Sequence, residues 1–148
     1  AFTALELSDT YGPGDRRPKF LNLLARAAAT GQRLEASPGE QVVRPIHVDD
    51  IASAFIAAAE QLLAGTVLPR TVCVAGPDAV SLRELATMFG EATGVIPPVD
   101  WGARPYRPSE ILRPWDGPGL PGWTPRIGLR EGLASVYGDL TQWEADQA

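Results

Sequence analysis

The segment Gln41-Val-Val-Arg-Pro-Ile-His-Val-Asp-Asp50 predicts a short β-strand that ends at two carboxylates and turns directly into a helix. Its valines and isoleucine favour extended backbone. Asp49 or Asp50 can cap the helix, because an Asp side chain accepts hydrogen bonds from the unpaired backbone N–H groups of a first turn. Arg44 does not fit a purely structural role, because a guanidinium among apolar neighbours is costly to bury without an anionic partner. Arg44 is therefore a candidate for binding an anion.

Strands and helices alternate on both sides of this segment. The run Ser81-Leu-Arg-Glu84 is a capping box, and glycines follow the apolar stripes where helices should end. The alternation predicts an α/β fold formed by a single domain over residues 1–148. Strands are predicted over 2–7, 34–36 and 71–75, and helices begin near Pro18, Ile51, Leu82 and Leu129.

Composition excludes several classes of function. The chain has 148 residues, 45% hydrophobic content and a net charge of −5, which suits a globular domain and disfavours nucleic-acid binding. It contains one cysteine, Cys73, which is expected to be a small buried apolar residue; without a disulfide the chain suits the reducing cytoplasm. No apolar run approaches the length of a membrane span. Because the chain opens at Ala1 inside a strand, we expect a fragment of a larger protein.

Three catalytic or cofactor patterns fail. Gly117-Pro-Gly-Leu-Pro-Gly122 matches G-x-G-x-x-G, but its prolines lack the N–H donors that a pyrophosphate needs, and no strand precedes it. His47 and Asp49 would give a metal only two ligands on one face of a strand. His47 also lacks a nucleophile elbow, so we predict a structural histidine, no catalytic residue and no metal site.

The remaining candidates could bind an anion. Lys19 and Phe20 begin a helix, whose first N–H groups favour negative charge. Arg104 and Arg107 lie in the segment 97–125, which is rich in proline and tryptophan and either wraps a ligand or straps the core. Arg44 and an arginine of this segment could converge on a diphosphate. Alternatively, these cations form ion pairs with the excess of acidic residues.

At this point the chain resembles the extended short-chain dehydrogenases/reductases, the NAD-dependent epimerases and dehydratases of nucleotide sugars. The resemblance rests on Asp9-Thr-Tyr-Gly-Pro-Gly-Asp15 and on Gly39–Asp50, which look like the tyrosine-Gly-Pro loop and the arginine strand of that family. The segment 76–86 and the motifs Arg107-Pro-Ser-Glu110 and Leu120-Pro-Gly-Trp-Thr-Pro125 are similar to its later motifs. The resemblance implies the C-terminal, substrate-binding part of an extended Rossmann-type fold.

The resemblance also implies residue roles. Arg44 and Arg107 would hold the diphosphate of a nucleotide sugar. Lys19 and Phe20 would line the nucleotide pocket, with Leu34 and Ala36 near the base. Asp9 and Tyr11 would lie near the junction of cofactor and substrate, although the family usually has Asn where this chain has Asp9.

The N-terminal Rossmann half of the family, with its glycine-rich NAD loop and its Tyr-x-x-x-Lys pair, is absent from this sequence. NAD or NADP is therefore expected in the parent enzyme and not on this chain alone. The missing half is an expected partner, a homo-oligomer is left open, and the first strand should expose an apolar edge. Two alternatives remain: a non-catalytic module that binds nucleotide sugars or a protein, and a branch of the superfamily that acts on non-sugar carbonyls.

Overall fold

The computed structural model describes residues 1–147, in which short strands alternate with helices as the sequence predicts. The strands are Ala4–Leu7 (β1), Thr10–Tyr11 (β2), Leu34–Ala36 (β3), Val42–Val43 (β4), Ile46–His47 (β5), Thr71–Val74 (β6), Val80–Ser81 (β7) and Val99–Trp101 (β8). The helices are Phe20–Thr30 (α1), Val48–Leu63 (α2), Leu82–Thr93 (α3), Leu129–Tyr137 (α4) and Leu140–Gln147 (α5).

The strands form four pairs, three of them parallel. β1 pairs with β6, β2 with β5 and β3 with β8 in parallel, whereas β4 and β7 are antiparallel. Parallel pairs require crossover connections, and the intervening helices provide them. Within residues 1–147, β1 has a strand partner on one edge only. Leu7 at the end of β1 is 40% exposed, and Phe2 just before the strand is 62% exposed. The exposed apolar edge expected from the sequence is therefore present.

Two apolar clusters hold these elements together. One joins α1, α3, α4 and α5 around the fully buried side chains of Leu24, Phe89, Leu133 and Tyr137. The other joins α2 to β5 and β6. Burying side chains of this size contributes about 1.5–3 kcal/mol each, so the clusters fix the helices relative to the strand ends.

The start of α2 differs from the prediction. The backbone N–H of Asp49 donates to Nδ1 of His47 at 3.2 Å, so His47 caps the helix rather than Asp49 or Asp50. The Asp49 side chain is 78% exposed, and Asp50 is buried and bonded elsewhere. His47 is the structural residue that the sequence predicted, in a more direct role.

Other local predictions are confirmed. Ser81 and Glu84 form both bonds of a capping box, and Gly31 and Gly94 end their helices in the left-handed conformation. Two were wrong: the last helix is split in two at Gly138, and Cys73 is half-buried, because the side chains of β6 alternate between buried and half-buried.

Among the described helices, none is both long enough and apolar enough to span a bilayer.

Candidate functional site

A cleft of about 1210 Å³ lies beyond the carboxyl ends of β1 and β2, beside the start of α1 and the edge of β3. Another part of its wall is formed by residues 104–115. We call residues 104–119 the strap. Small-molecule sites in open α/β folds lie outside the carboxyl ends of the strands, and their volumes are about 300–1,000 Å³, somewhat below that of this cleft. The cleft is therefore the candidate site.

Lys19 is held at the point where α1 begins. Its Nζ donates to the backbone oxygen of Thr10 at 2.8 Å and to the Thr10 hydroxyl, and lies 3.7 Å from Oδ2 of Asp15. Burial lowers the pKa of Lys19, and the nearby Arg17 lowers it further, while Asp15 opposes the shift. The ammonium is thus fixed in place on the cleft wall.

A buried polar network stiffens the loop before Lys19. Nδ2 of Asn22 donates to the backbone oxygens of Asp15 and Arg17 at 2.7 and 2.9 Å, and the hydroxyl of Tyr137 donates to Oδ1 of Asn22 at 2.8 Å. The side-chain hydrogen bond from Arg17 holds the pKa of Asp15 below its usual value. Burial raises the pKa of Tyr137, so this donor stays protonated. These hydrogen bonds therefore hold the loop in place without a ligand.

The apolar wall of the cleft lies between α1 and β3. Phe20, Leu34 and Ala36 all line it. The Phe20 ring rests against Trp101 with centroids 6.1 Å apart, and Arg83 covers Trp101 at 4.9 Å from the ring centroid. Aromatic and aliphatic groups next to fixed cations suit a ligand with a flat apolar part and an anionic part.

The two arginines predicted to converge on a diphosphate lie in different places. Arg107 lines the cleft, whereas Arg44 is not among the residues that line it. Nε of Arg44 donates to the backbone oxygen of Gly76 at 3.1 Å, and Nη1 donates to Oδ1 of Asp116 at 3.0 Å. Arg44 is therefore engaged with the strap, and its contact with a ligand stays a prediction.

Asp9 and Tyr11 lie side by side in the cleft wall. Tyr11 is 3% exposed, its ring meets His47 edge-on at 5.4 Å, and its hydroxyl packs so close to Gly132 that a Cβ there would lie 1.9 Å away. Burial raises the pKa of Tyr11 to about 12, and the charges of Asp50, Asp78 and Glu131 add to the shift. The hydroxyl therefore stays protonated at neutral pH.

The raised pKa of Tyr11 predicts a loss of stability at alkaline pH. An ordinary tyrosine ionises near 10, so between pH 10 and about 12 the unfolded chain releases a proton that the folded protein keeps. The free energy of unfolding should fall over this window by on the order of 2 kcal/mol from Tyr11. Urea unfolding at pH 9, 10 and 11 measures the slope.

Tyr11→Phe is the matched control for this titration. The free energy of unfolding of Tyr11→Phe should fall less steeply with pH. The remaining fall comes from Tyr137, whose pKa is also raised. Equal slopes for Tyr11→Phe and the original protein would contradict the assignment.

Two carboxylates outside the cleft position a neighbouring helix, in roles that the sequence did not indicate. Asp50 binds the backbone N–H groups of Arg126 and Ile127, and Asp78 binds that of Leu129, so two carboxylates position the start of α4. From the sequence, Asp50 was a candidate cap for α2, and Asp78 had no predicted role.

The strap belongs to the segment 97–125, for which the sequence left open that it wraps a ligand or straps the core. It lines the cleft, and it is tied to the strands by hydrogen bonds from Val42 N to Leu112 O at 2.9 Å and from Cys73 N to Pro118 O at 2.8 Å. Its cleft-lining Arg113 was not singled out by any motif.

Comparison with known proteins agrees with this geometry. The chain is 26% identical over 115 residues to CDP-abequose synthase of Yersinia pseudotuberculosis, a match that covers 76% of this chain and 39% of that enzyme. It superposes on MoeE5 in complex with UDP-glucuronic acid and NAD with a TM-score of 0.77 and 29% identity, covering 96% of this chain and 47% of MoeE5. The UDP-glucuronic acid 4-epimerase of Bacillus cereus shares the fold, with a TM-score of 0.81 at 19% identity over 95% of this chain and 45% of the epimerase.

The chain thus spans about half the length of these relatives. Its fold corresponds to the covered part of a Rossmann-type enzyme. The family model of the NAD dependent epimerase/dehydratase family matches residues 1–74, which include the tyrosine-Gly-Pro loop, Lys19 and the arginine strand. The chain belongs to the NAD-dependent epimerase/dehydratase family.

Proposed function

We propose that the cleft binds the nucleoside diphosphate part of a nucleotide sugar, and that the chain is the substrate-binding portion of an NAD- or NADP-dependent epimerase or dehydratase. The observation that carries the proposal is the convergence of seven predicted residues on one cleft. These are Asp9, Tyr11, Lys19, Phe20, Leu34, Ala36 and Arg107. MoeE5, which is 28% identical, has also been solved with UDP-glucose and NAD, which supports the same ligand class.

The two sides of the cleft suit the two parts of such a ligand. Phe20, Leu34 and Ala36 offer an apolar surface to a nucleobase, and Lys19 and Arg107 offer positive charge to phosphate oxygens. A charge-assisted hydrogen bond to phosphate contributes about 1.5–3 kcal/mol, so two of them give a diphosphate a clear advantage over a monophosphate. The chain's own residues would bind and orient the sugar nucleotide.

The stretch Gly117–Gly122 does not fit a dinucleotide site. In Gly117–Gly122, the one stretch with the glycine spacing, Gly119 bridges to Cys73 of β6, and that stretch lies in irregular backbone well before α4. A pyrophosphate cradle needs such glycines between a strand and a helix N-terminus. We therefore propose that the pyrophosphate of NAD or NADP is bound by the other half of the parent enzyme.

We further propose that a nucleotide-binding half completes the enzyme by pairing with the free edge of β1. The relatives are about twice as long as this chain, which supports such a partner. Apolar residues of α2 offer a second surface, since Phe55, Ile56 and Leu63 are 51%, 60% and 89% exposed. A cytoplasmic location suits the free thiol of Cys73.

Titration with nucleotides tests the proposed function. UDP or CDP should bind with a dissociation constant at least about tenfold lower than that of the matching monophosphate, because the second phosphate adds charge-assisted bonds. Calorimetry measures both, with NAD as the comparison ligand, which should bind more weakly than the diphosphates. Lys19→Met should weaken UDP about tenfold or more.

Two outcomes would contradict the proposal. Absence of saturable binding for every diphosphate would remove the sugar-nucleotide ligand. Equal binding of mono- and diphosphates would show that the cleft does not recognise a diphosphate. It would favour the alternative that the chain belongs to the branch of the superfamily that acts on non-sugar carbonyls.

A further inference from the structure

Trp115 is an exposed aromatic residue on the wall of the cleft. It belongs to the strap, lines the cleft and is 44% exposed. The other three tryptophans are more enclosed, since Trp143 is buried and Trp101 and Trp123 are half-buried. An indole that stays open to water inside a cleft offers a flat apolar surface to a ligand.

The position of Trp115 is fixed by its neighbours. Sγ of Cys73 donates to the backbone oxygen of Trp115 at 3.6 Å, and the backbone N–H of Cys73 donates to Pro118 O at 2.8 Å, so β6 holds the strap at the indole and again three residues later. The indole ring covers Gly117, where a Cβ would overlap the ring atoms Cζ2, Cη2 and Cε2. A side chain that is already held in place loses little conformational entropy when a ligand binds.

Trp115 is attached to a different strand pair from the one that carries the wall proposed for the nucleobase. That wall includes β3, which pairs with β8, whereas Trp115 is bonded to β6, which pairs with β1. With the base against β3 and the phosphates beside Lys19, the part of the ligand that remains for the region next to Trp115 is the sugar.

The chemistry of this region suits a sugar. The faces of a pyranose ring carry C–H groups with a small positive charge, which favour contact with the negative face of an indole. Glu6 also lines the cleft and lies opposite Cys73 in the register of β1 and β6, so a carboxylate that can accept from sugar hydroxyls lies in the same region. A flat apolar surface beside a hydrogen-bond acceptor matches the two kinds of surface that a sugar presents.

We propose that Trp115 binds the sugar of the nucleotide sugar by stacking against one face of its ring. This inference rests on the proposed function of the cleft. It assigns a binding role to a residue that the family motifs in this sequence do not mark, and Gly117 is the residue that allows the ring its position.

Calorimetric titration with UDP and with UDP-glucose measures the contribution of the sugar. The original protein should bind UDP-glucose about three- to tenfold more tightly than UDP, as expected for one aromatic contact. Trp115→Leu should bring the two dissociation constants within about twofold of each other and leave that of UDP nearly unchanged. Trp123→Phe is the matched control, since Trp123 does not line the cleft, and it should keep the preference for UDP-glucose.

A second pair of variants keeps the indole and changes its position. Gly117→Ala should displace the ring of Trp115 and therefore lose the preference for UDP-glucose, whereas Gly119→Ala, where a Cβ meets nothing within 4 Å, should keep it. Tryptophan fluorescence gives an independent readout. Saturating UDP-glucose should change the emission of the original protein more than saturating UDP does, and Trp115→Leu should abolish this difference.

The results that would overturn the inference differ from those that would overturn the proposed function. Equal affinity of the original protein for UDP and UDP-glucose is the result expected if Trp115 packs against the nucleotide-binding half and not against a sugar. Either this result or a preference for UDP-glucose that Trp115→Leu retains would overturn the stacking role and leave the proposed function intact. Failure of the original protein to bind any nucleoside diphosphate would overturn both.

Discussion

Replacing Asp50 with alanine should lower the free energy of unfolding by about 3–5 kcal/mol, because two backbone N–H groups would lose a charged acceptor. Asp50 is 3% exposed, and its two carboxylate oxygens accept from Arg126 N at 2.9 Å and Ile127 N at 3.0 Å. Alanine leaves both donors without a partner in a buried place. Urea unfolding of the purified protein measures the loss.

The neighbouring residue provides a matched control for Asp50. The side chain of Asp49 is 78% exposed and has no part in these bonds, so Asp49→Ala should change stability by less than about 0.5 kcal/mol. Asp50→Asn keeps the shape and one acceptor oxygen and should lie between the two. Equal losses for Asp49→Ala and Asp50→Ala would show that helix charge, and not the link to Arg126 and Ile127, accounts for the effect.

Local signals predicted the local structure well. The capping box of Ser81 and Glu84 and the glycine at the end of α1 depend on neighbours within a few residues, so the sequence contains all the information they need. The alternation of strands and helices was predictable for the same reason. These signals were enough for the fold class.

The roles of charged side chains were less predictable, because their partners are distant along the chain. Asp50 looked like a helix cap, yet it bonds to residues 76 and 77 positions away. Arg44 was recognised as an unusual charge in a strand, but its partner Asp116 lies 72 positions away in a segment without periodicity. Only the folded chain brings these groups together.

The candidate site was predictable where a family motif marked it. The resemblance led to seven cleft residues, Tyr11 and Lys19 among them. Arg113 carries no motif, and its place on the cleft wall depends on how distant segments of the chain pack together. That property is tertiary and cannot be obtained from spacing.

Gly76→Ala should destabilise the protein by about 3 kcal/mol, the upper part of the range for overpacking, because the clash involves backbone atoms on both sides. A Cβ at Gly76 would lie 1.9 Å from the carbonyl oxygen of Pro45 and 2.8 Å from its carbonyl carbon. Gly76 N also donates to Arg44 O at 3.2 Å, and Gly76 O accepts from Nε of Arg44. Relief of the clash must therefore separate the turn after β6 from the arginine strand.

The expected result is a lower urea midpoint together with weaker UDP binding, since separation of these segments displaces Val43 and Pro45, which line the cleft. Gly119→Ala is the matched control: a Cβ there meets nothing within 4 Å, so this variant should unfold like the original protein. If Gly76→Ala were as stable as Gly119→Ala, the close approach of Gly76 to Pro45 would not exist in solution.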